Sequence, residues 1–177
     1  HFPVKAKRVI FLCMAGGPSQ FETFDWKPAL KELDGKPFPE SFTKGQQLAQ
    51  LQNAVLKARG SFVGFQKHGE AGIEVSDLFP HLARQADRLC VIRSMVTDHT
   101  NHYESTLGMH CGSWTFARPS IGSWISYGLG SENENLPAFM VVAPNEPYAG
   151  AQTWGSDFLP GCHQGTRIRP GKNPIEN

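Results

Sequence analysis

Three apolar runs organise the chain, the second of them interrupted by Arg93 and Ser94. Val9 to Ala15 is the longest, preceded by the basic Lys7 and Arg8 and followed at once by Gly16, Gly17, Pro18 and Ser19. A short apolar run that ends in a glycine-rich turn predicts a buried strand over 7–14. Leu89 to Val96 predicts a second buried strand, and Ala138 to Ala143 a third. Between them the spacing changes from continuous to helical. Pro28 to Leu33 predicts a short helix, with Pro28 in its first turn and Gly35 just past its end. Leu48, Leu51, Val55 and Leu56 suggest a helix over 48–58. Ser61 to Phe65 suggests a short strand, and His68 to Gly72 a turn.

From Ser76 or Asp77, the positions Leu78, Phe79, Leu82, Ala83 and Ala86 fall on one helical face. Thr97 to Gly112 reads as loop into helix. Pro119 and Ser120 begin another helix, with Ser120 as its cap, Trp124, Ile125 and Leu129 facing inward, and Gly128 and Gly130 at its end. Strand alternating with helix predicts an α/β domain around a mainly parallel sheet, with 144–177 as a loop-rich end.

Composition narrows the class. The 177 residues suffice for one domain with a core, and the 40% hydrophobic and 19% charged fractions are ordinary for a globular protein. A net charge of +1 gives no field that points to nucleic acid or an anionic membrane. No run of about 18 apolar residues suggests a transmembrane helix. The four cysteines, Cys13, Cys90, Cys111 and Cys162, form no CxxC pair, which argues against a zinc ribbon. The chain begins at His1 rather than Met and ends on a connecting stretch, so it is expected to be a piece of a longer protein.

Chemistry gathers after the first two predicted strands, where open α/β sheets place their sites. After the first, Gly16 and Gly17 let backbone approach a ligand, and Ser19 follows. Glu22 and Asp25 are suited either to a hard cation or, for Asp25, to capping the next helix. After the second, His99, Thr100, Asn101 and His102 lead to Glu104, Ser105, Thr106 and His110. His99, His102 and His110 are three of the seven histidines, and imidazole with carboxylate suits a transition metal. Hydroxyls and imidazoles near a helix N-terminus also suit an anion such as sulfate or phosphate. Trp114, Phe116, Trp124 and Tyr127 read as core or interface rather than as a sugar platform.

The runs KRVIFLCMAGGPSQFETFD, HGEAGIEVSDLFPHLA, LCVIRSMVTDHTNHYESTLGMHCG and RPSIGSWISYGLGSENENLPAFMVV, in this order and spacing, resemble the DUF1501 family, common in planctomycetes. The resemblance covers the chain from about Lys7 onward. It implies a sulfatase-like fold of the alkaline phosphatase superfamily: a three-layer sandwich of helices around a mainly parallel sheet, with 1–177 the N-terminal part of a single, incomplete domain. It implies a metal-dependent hydrolase of sulfate or phosphate esters, with zinc, calcium or manganese as cofactor and a small-molecule or polysaccharide ester as substrate.

On that pattern Asp25, His99 and His102 would bind metal. His102, Thr100 and Asn101 would serve catalysis, and the backbone at Gly16, Gly17 and Ser19 would face the oxyanion. Ala15 stands where many members carry Asp, and the CxPSR context of the sulfatase nucleophile is absent. Those departures favour the alternative, an exported non-catalytic binding or scaffold protein with a degenerate metal site. Members often carry twin-arginine signals upstream, so the resemblance implies a periplasmic or exported location.

Overall fold

The computed structural model describes residues 3, 5–45, 54–172 and 174–175. It is a mixed α/β structure with short sheets, and its contacts divide the chain into two units. One unit comprises residues 17–96, the other residues 1–16 and 97–177.

In the 17–96 unit, Pro28–Leu33 forms the expected helix α1, with Pro28 in its first turn, and Glu40–Thr43 forms α2. Asp34 holds the chain beyond α1, its Oδ1 accepting the Gly60 N–H at 2.8 Å. The 48–58 helix expectation lies partly outside the described residues. Residues 54–58 are not helical: Pro37 and Lys57 form an antiparallel bridge, because the backbone of 35–38 bonds to 56–58. Strand β1 (Phe65–His68) pairs antiparallel with β2 (Ile73–Ser76), Phe65 opposite Ser76, across the predicted turn. Val75 is fully buried, and Phe24 stacks on Phe79 at 5.5 Å.

The helix expected from Ser76 starts later. Ser76 belongs to β2 and donates its backbone N–H to Thr23, so the helix α3 is confined to Pro80–Ala83. Proline fixes its first turn. A 3-10 turn, Ala86–Arg88, follows.

In the other unit, α4 spans His102–Cys111 and ends on Gly112 at φ 70°, the left-handed cap that glycine adopts without strain. Helix α5 spans Ile121–Leu129, and its cap is Ser120, which accepts the Ser123 N–H as predicted. Its buried face differs from the predicted one. Ser123 and Ser126 are buried while Trp124 and Leu129 are exposed. The Ser123 hydroxyl donates to the Gly155 carbonyl at 2.9 Å, and Ser126 Oγ meets His163 Nδ1 at 3.0 Å, so close backbone approach replaces bulk packing. Strand β3 (Met140–Val142) lies parallel to β4 (Thr166–Ile168), which falls in the stretch read as loop.

The runs 7–14 and 89–96 form no strand in the structure. A strand is defined by its partner as much as by its apolar pattern, and neither run is paired. Ile10 and Leu12 are each 84% exposed.

Candidate functional site

The polar segment 97–101 delivers its residues to the start of α4 through a pinned turn. The His99 carbonyl accepts the Thr97 hydroxyl at 2.8 Å and the Ser105 hydroxyl at 2.6 Å. His99 Nδ1 accepts the Asn101 N–H at 3.1 Å and lies 3.7 Å from Glu104 Oε2. That carboxylate oxygen is buried and has no hydrogen-bond partner. Asn101 occupies the cap position of α4 without a side-chain cap bond. Ser105 is committed to the turn and Thr106 is buried, so Thr100 carries the exposed hydroxyl of the three.

His102 is the first residue of α4, and its ring stacks on Tyr148 with centroids 5.2 Å apart and planes 16° apart. Among the described residues neither of its ring nitrogens has a hydrogen-bond partner. The stack occupies a face and leaves the nitrogen-bearing edge free. Gly16, at φ 85°, lies against the same phenol: a Cβ at position 16 would sit 3.5 Å from the Tyr148 ring. The structure thus brings together Gly16 and His102, 86 positions apart in sequence, through a tyrosine that no periodicity or motif marked. His110, two turns along α4, bonds the Thr106 carbonyl at 2.8 Å and meets Phe11 edge-on at 5.2 Å.

Gly17, Ser19 and Asp25 belong to the 17–96 unit. Gly17 is left-handed at φ 64°, and Ser19 precedes a 3-10 turn, Gln20–Glu22, in extended conformation. Asp25 is buried, and its Oδ1 accepts Lys27 Nζ at 2.8 Å and lies 3.6 Å from Arg93. Those two cations neutralise the carboxylate that sequence reasoning assigned to a metal or a cap. Among the described residues, no three His, Cys, Asp or Glu side chains are grouped as a metal ion requires.

On the adjacent face of α4, Tyr103, Leu107 and Cys111 recur at i, i+4 and i+8 and line a groove of about 250 Å³. The Cys111 thiol donates to the Gln152 carbonyl at 3.2 Å. Burial, reinforced by the negative charge of Asp157, pushes its pKa up to about 11. Cys111 is therefore a neutral donor at ordinary pH rather than a nucleophile.

No helix among the described residues is long and apolar enough to cross a membrane. No curated protein and no solved structure matches the chain. The model of the DUF1501 family, described as a protein of unknown function, matches residues 6–177. With nearly its whole length matched, the chain belongs to the DUF1501 family.

Proposed function

We propose that this chain belongs to a hydrolase of sulfate or phosphate esters, of the sulfatase-like, layered type that the family resemblance suggests, acting on a small-molecule or polysaccharide ester in a periplasmic or exported location. One observation carries the reading: the free edge of the His102 imidazole and the Gly16 backbone flank one ring, that of Tyr148. A left-handed glycine lets backbone approach an anion closely, and an imidazole with unpartnered nitrogens is suited to proton transfer. In such a hydrolysis a bond forms from water oxygen to sulfur or phosphorus and the bond to the alcohol oxygen breaks. His102 takes the proton from water and returns it to the leaving alcohol. Thr100, exposed and two residues earlier in the chain, is the alternative hydroxyl nucleophile, with Asn101 as a polar contact.

The reading includes a divalent cation, zinc, calcium or manganese, with Asp25, His99 and His102 as its ligands. Such an ion supplies Lewis-acid polarisation of the ester oxygen. The donors as placed do not fit it: Lys27 and Arg93 hold Asp25 Oδ1, and His99 Nδ1 accepts a backbone N–H. No step follows through the ion from these residues alone.

The second reading is a non-catalytic binding or scaffold protein with a degenerate metal site. The ion pairs at Asp25 favour it, together with Ala15. Elemental analysis of the protein beside His102→Ala, with turnover of aryl sulfate and aryl phosphate, separates the two. Stoichiometric metal and turnover, both lost in the variant, support the hydrolase. No metal and no turnover in either leave the binding protein.

A further inference from the structure

The groove beside α4 has the chemistry of a sugar site. Its floor comes from α4, its walls from the 113–118 loop and the 3-10 turn Gly150–Trp154. Tyr103, Trp114 and Phe116 contribute aromatic rings, and all three are exposed, so Trp114 and Phe116 are not the core side chains their sequence suggested. Gln152, Asp157 and Arg118 stand among them. Large aromatics left in water around a concave polar surface mark a binding site more often than a packing defect.

We propose that this groove binds a single pyranose ring of an oligosaccharide or polysaccharide. Size comes first: drug-sized ligands occupy pockets of roughly 300–1,000 Å³, and a groove of about 250 Å³ suits one ring. A pyranose offers an apolar C–H face to an aromatic and a rim of hydroxyls to polar side chains. Trp114 is held for that purpose. His99 packs against it with centroids 5.1 Å apart, yet Trp114 remains 45% exposed.

The polar groups of the lining keep hydrogen-bonding capacity in reserve. The Tyr103 hydroxyl donates to Gln152 Oε1 at 3.3 Å, which leaves the Gln152 amide NH₂ to donate outward. Among the described residues neither Asp157 nor Arg118 has a salt-bridge partner, so one acceptor and one fork of donors remain for hydroxyls. Asp157 is also the one non-glycine residue among those described with positive φ, 44°. An isolated peptide fits less well. The lining has no open strand edge to extend, and no long apolar channel to receive a helix.

The inference goes beyond the hydrolase reading, because the groove would hold a sugar whether or not the chain cleaves an ester. The test is saturation-transfer NMR on the whole chain with the methyl glycosides of glucose, galactose, mannose and xylose, followed by titration. Saturation of ring C–H protons for at least one glycoside, with millimolar affinity, is expected. Trp114→Ala and Phe116→Ala should each weaken it about tenfold, as removal of a central aromatic anchor does, while Trp114→Phe retains it. Phe116 is 68% exposed, so its removal tests the groove even if the Trp114 variant fails to fold. No transfer from any of the four glycosides overturns the proposal, as does equal binding in Phe116→Ala, or binding of indole without binding of sugar. Ester turnover is measured separately. Glycoside binding without turnover leaves this inference standing and removes the hydrolase, and turnover without glycoside binding does the reverse.

Discussion

The imidazole of His102 lies flat against the phenol of Tyr148, 5.2 Å between centroids, and Tyr148 in turn occupies the space facing Gly16. Stacking on one face fixes the ring plane without consuming a nitrogen. A histidine held by a ring nitrogen, as His110 is by the Thr106 carbonyl, gives up one of its two proton positions. Of these two histidines on one helix, His102 therefore keeps both ring nitrogens available for a proton.

Tyr148→Ala should therefore lower kcat for an active ester substrate by about tenfold, because a misoriented general base loses part of its roughly 10²–10⁴-fold contribution. KM should change little, and Tyr148→Phe, which keeps the ring, should stay near wild type. Steady-state kinetics on an aryl sulfate or phosphate decide this. Equal kcat in all three proteins would remove Tyr148 from the site.

Cys111 provides a prediction that needs no substrate. With its pKa raised to about 11, its thiolate fraction at pH 8 is on the order of 10⁻³. Cys90 and Cys162 are exposed and should be alkylated by iodoacetamide well before Cys111. Asp157→Asn removes the charge that opposes the thiolate and should speed Cys111 labelling, read by peptide mass spectrometry. The raised pKa also sets a sign for stability. The fold favours the protonated thiol, so this contribution is present below the ordinary thiol pKa of 9.0 and is lost as pH rises toward 11. Chemical denaturation across pH 8 to 11, beside Cys111→Ser, measures it.

Elements with strictly local signals were legible in the sequence. Pro28 with Gly35 delimits α1, Gly112 ends α4, and Ser120 caps α5, each through a backbone geometry that a single residue type favours. Burial was less legible. The apolar residues of α5 suggested Trp124 and Leu129 inside, yet Ser123 and Ser126 are buried because their hydroxyls meet Gly155 and His163, partners 32 and 37 positions away. Strand pairing is equally non-local, so the apolar run at 7–14 carries no information on a partner. Of the site, the glycines and the histidine cluster were visible as residue types. Tyr148, Gln152 and Asp157 were not, because they come from a stretch without periodicity whose place is set by tertiary contact.

The start of β4 depends on a glycine with no room beside it. A Cβ at Gly165 would lie 2.7 Å from Val141 Cγ2 and 2.8 Å from Trp154 Cβ. The second neighbour is fixed to the backbone and cannot rotate away. Gly165→Ala should destabilise by about 1–3 kcal/mol, the usual cost of overpacking. Gly161→Ala, where a Cβ meets nothing within 4 Å, is the control and should be close to neutral. Thermal denaturation of the two variants checks both statements.

The run Val9 to Met14 carries six consecutive residues without charge, proline or glycine, and Val9, Ile10, Phe11, Leu12 and Met14 are all exposed. Its backbone is unpaired by any strand in the structure. Exposed apolar segments of this length and β-propensity pair with their own copies, and charges placed within them suppress that pairing. The positive charges of Lys7 and Arg8 stand only at one end. Ile10→Lys with Leu12→Lys should raise the concentration at which the isolated chain stays dispersed by several-fold, measured by light scattering. It should leave the melting temperature unchanged, since both side chains are already in water. A fall in melting temperature would show instead that the run is buried in solution.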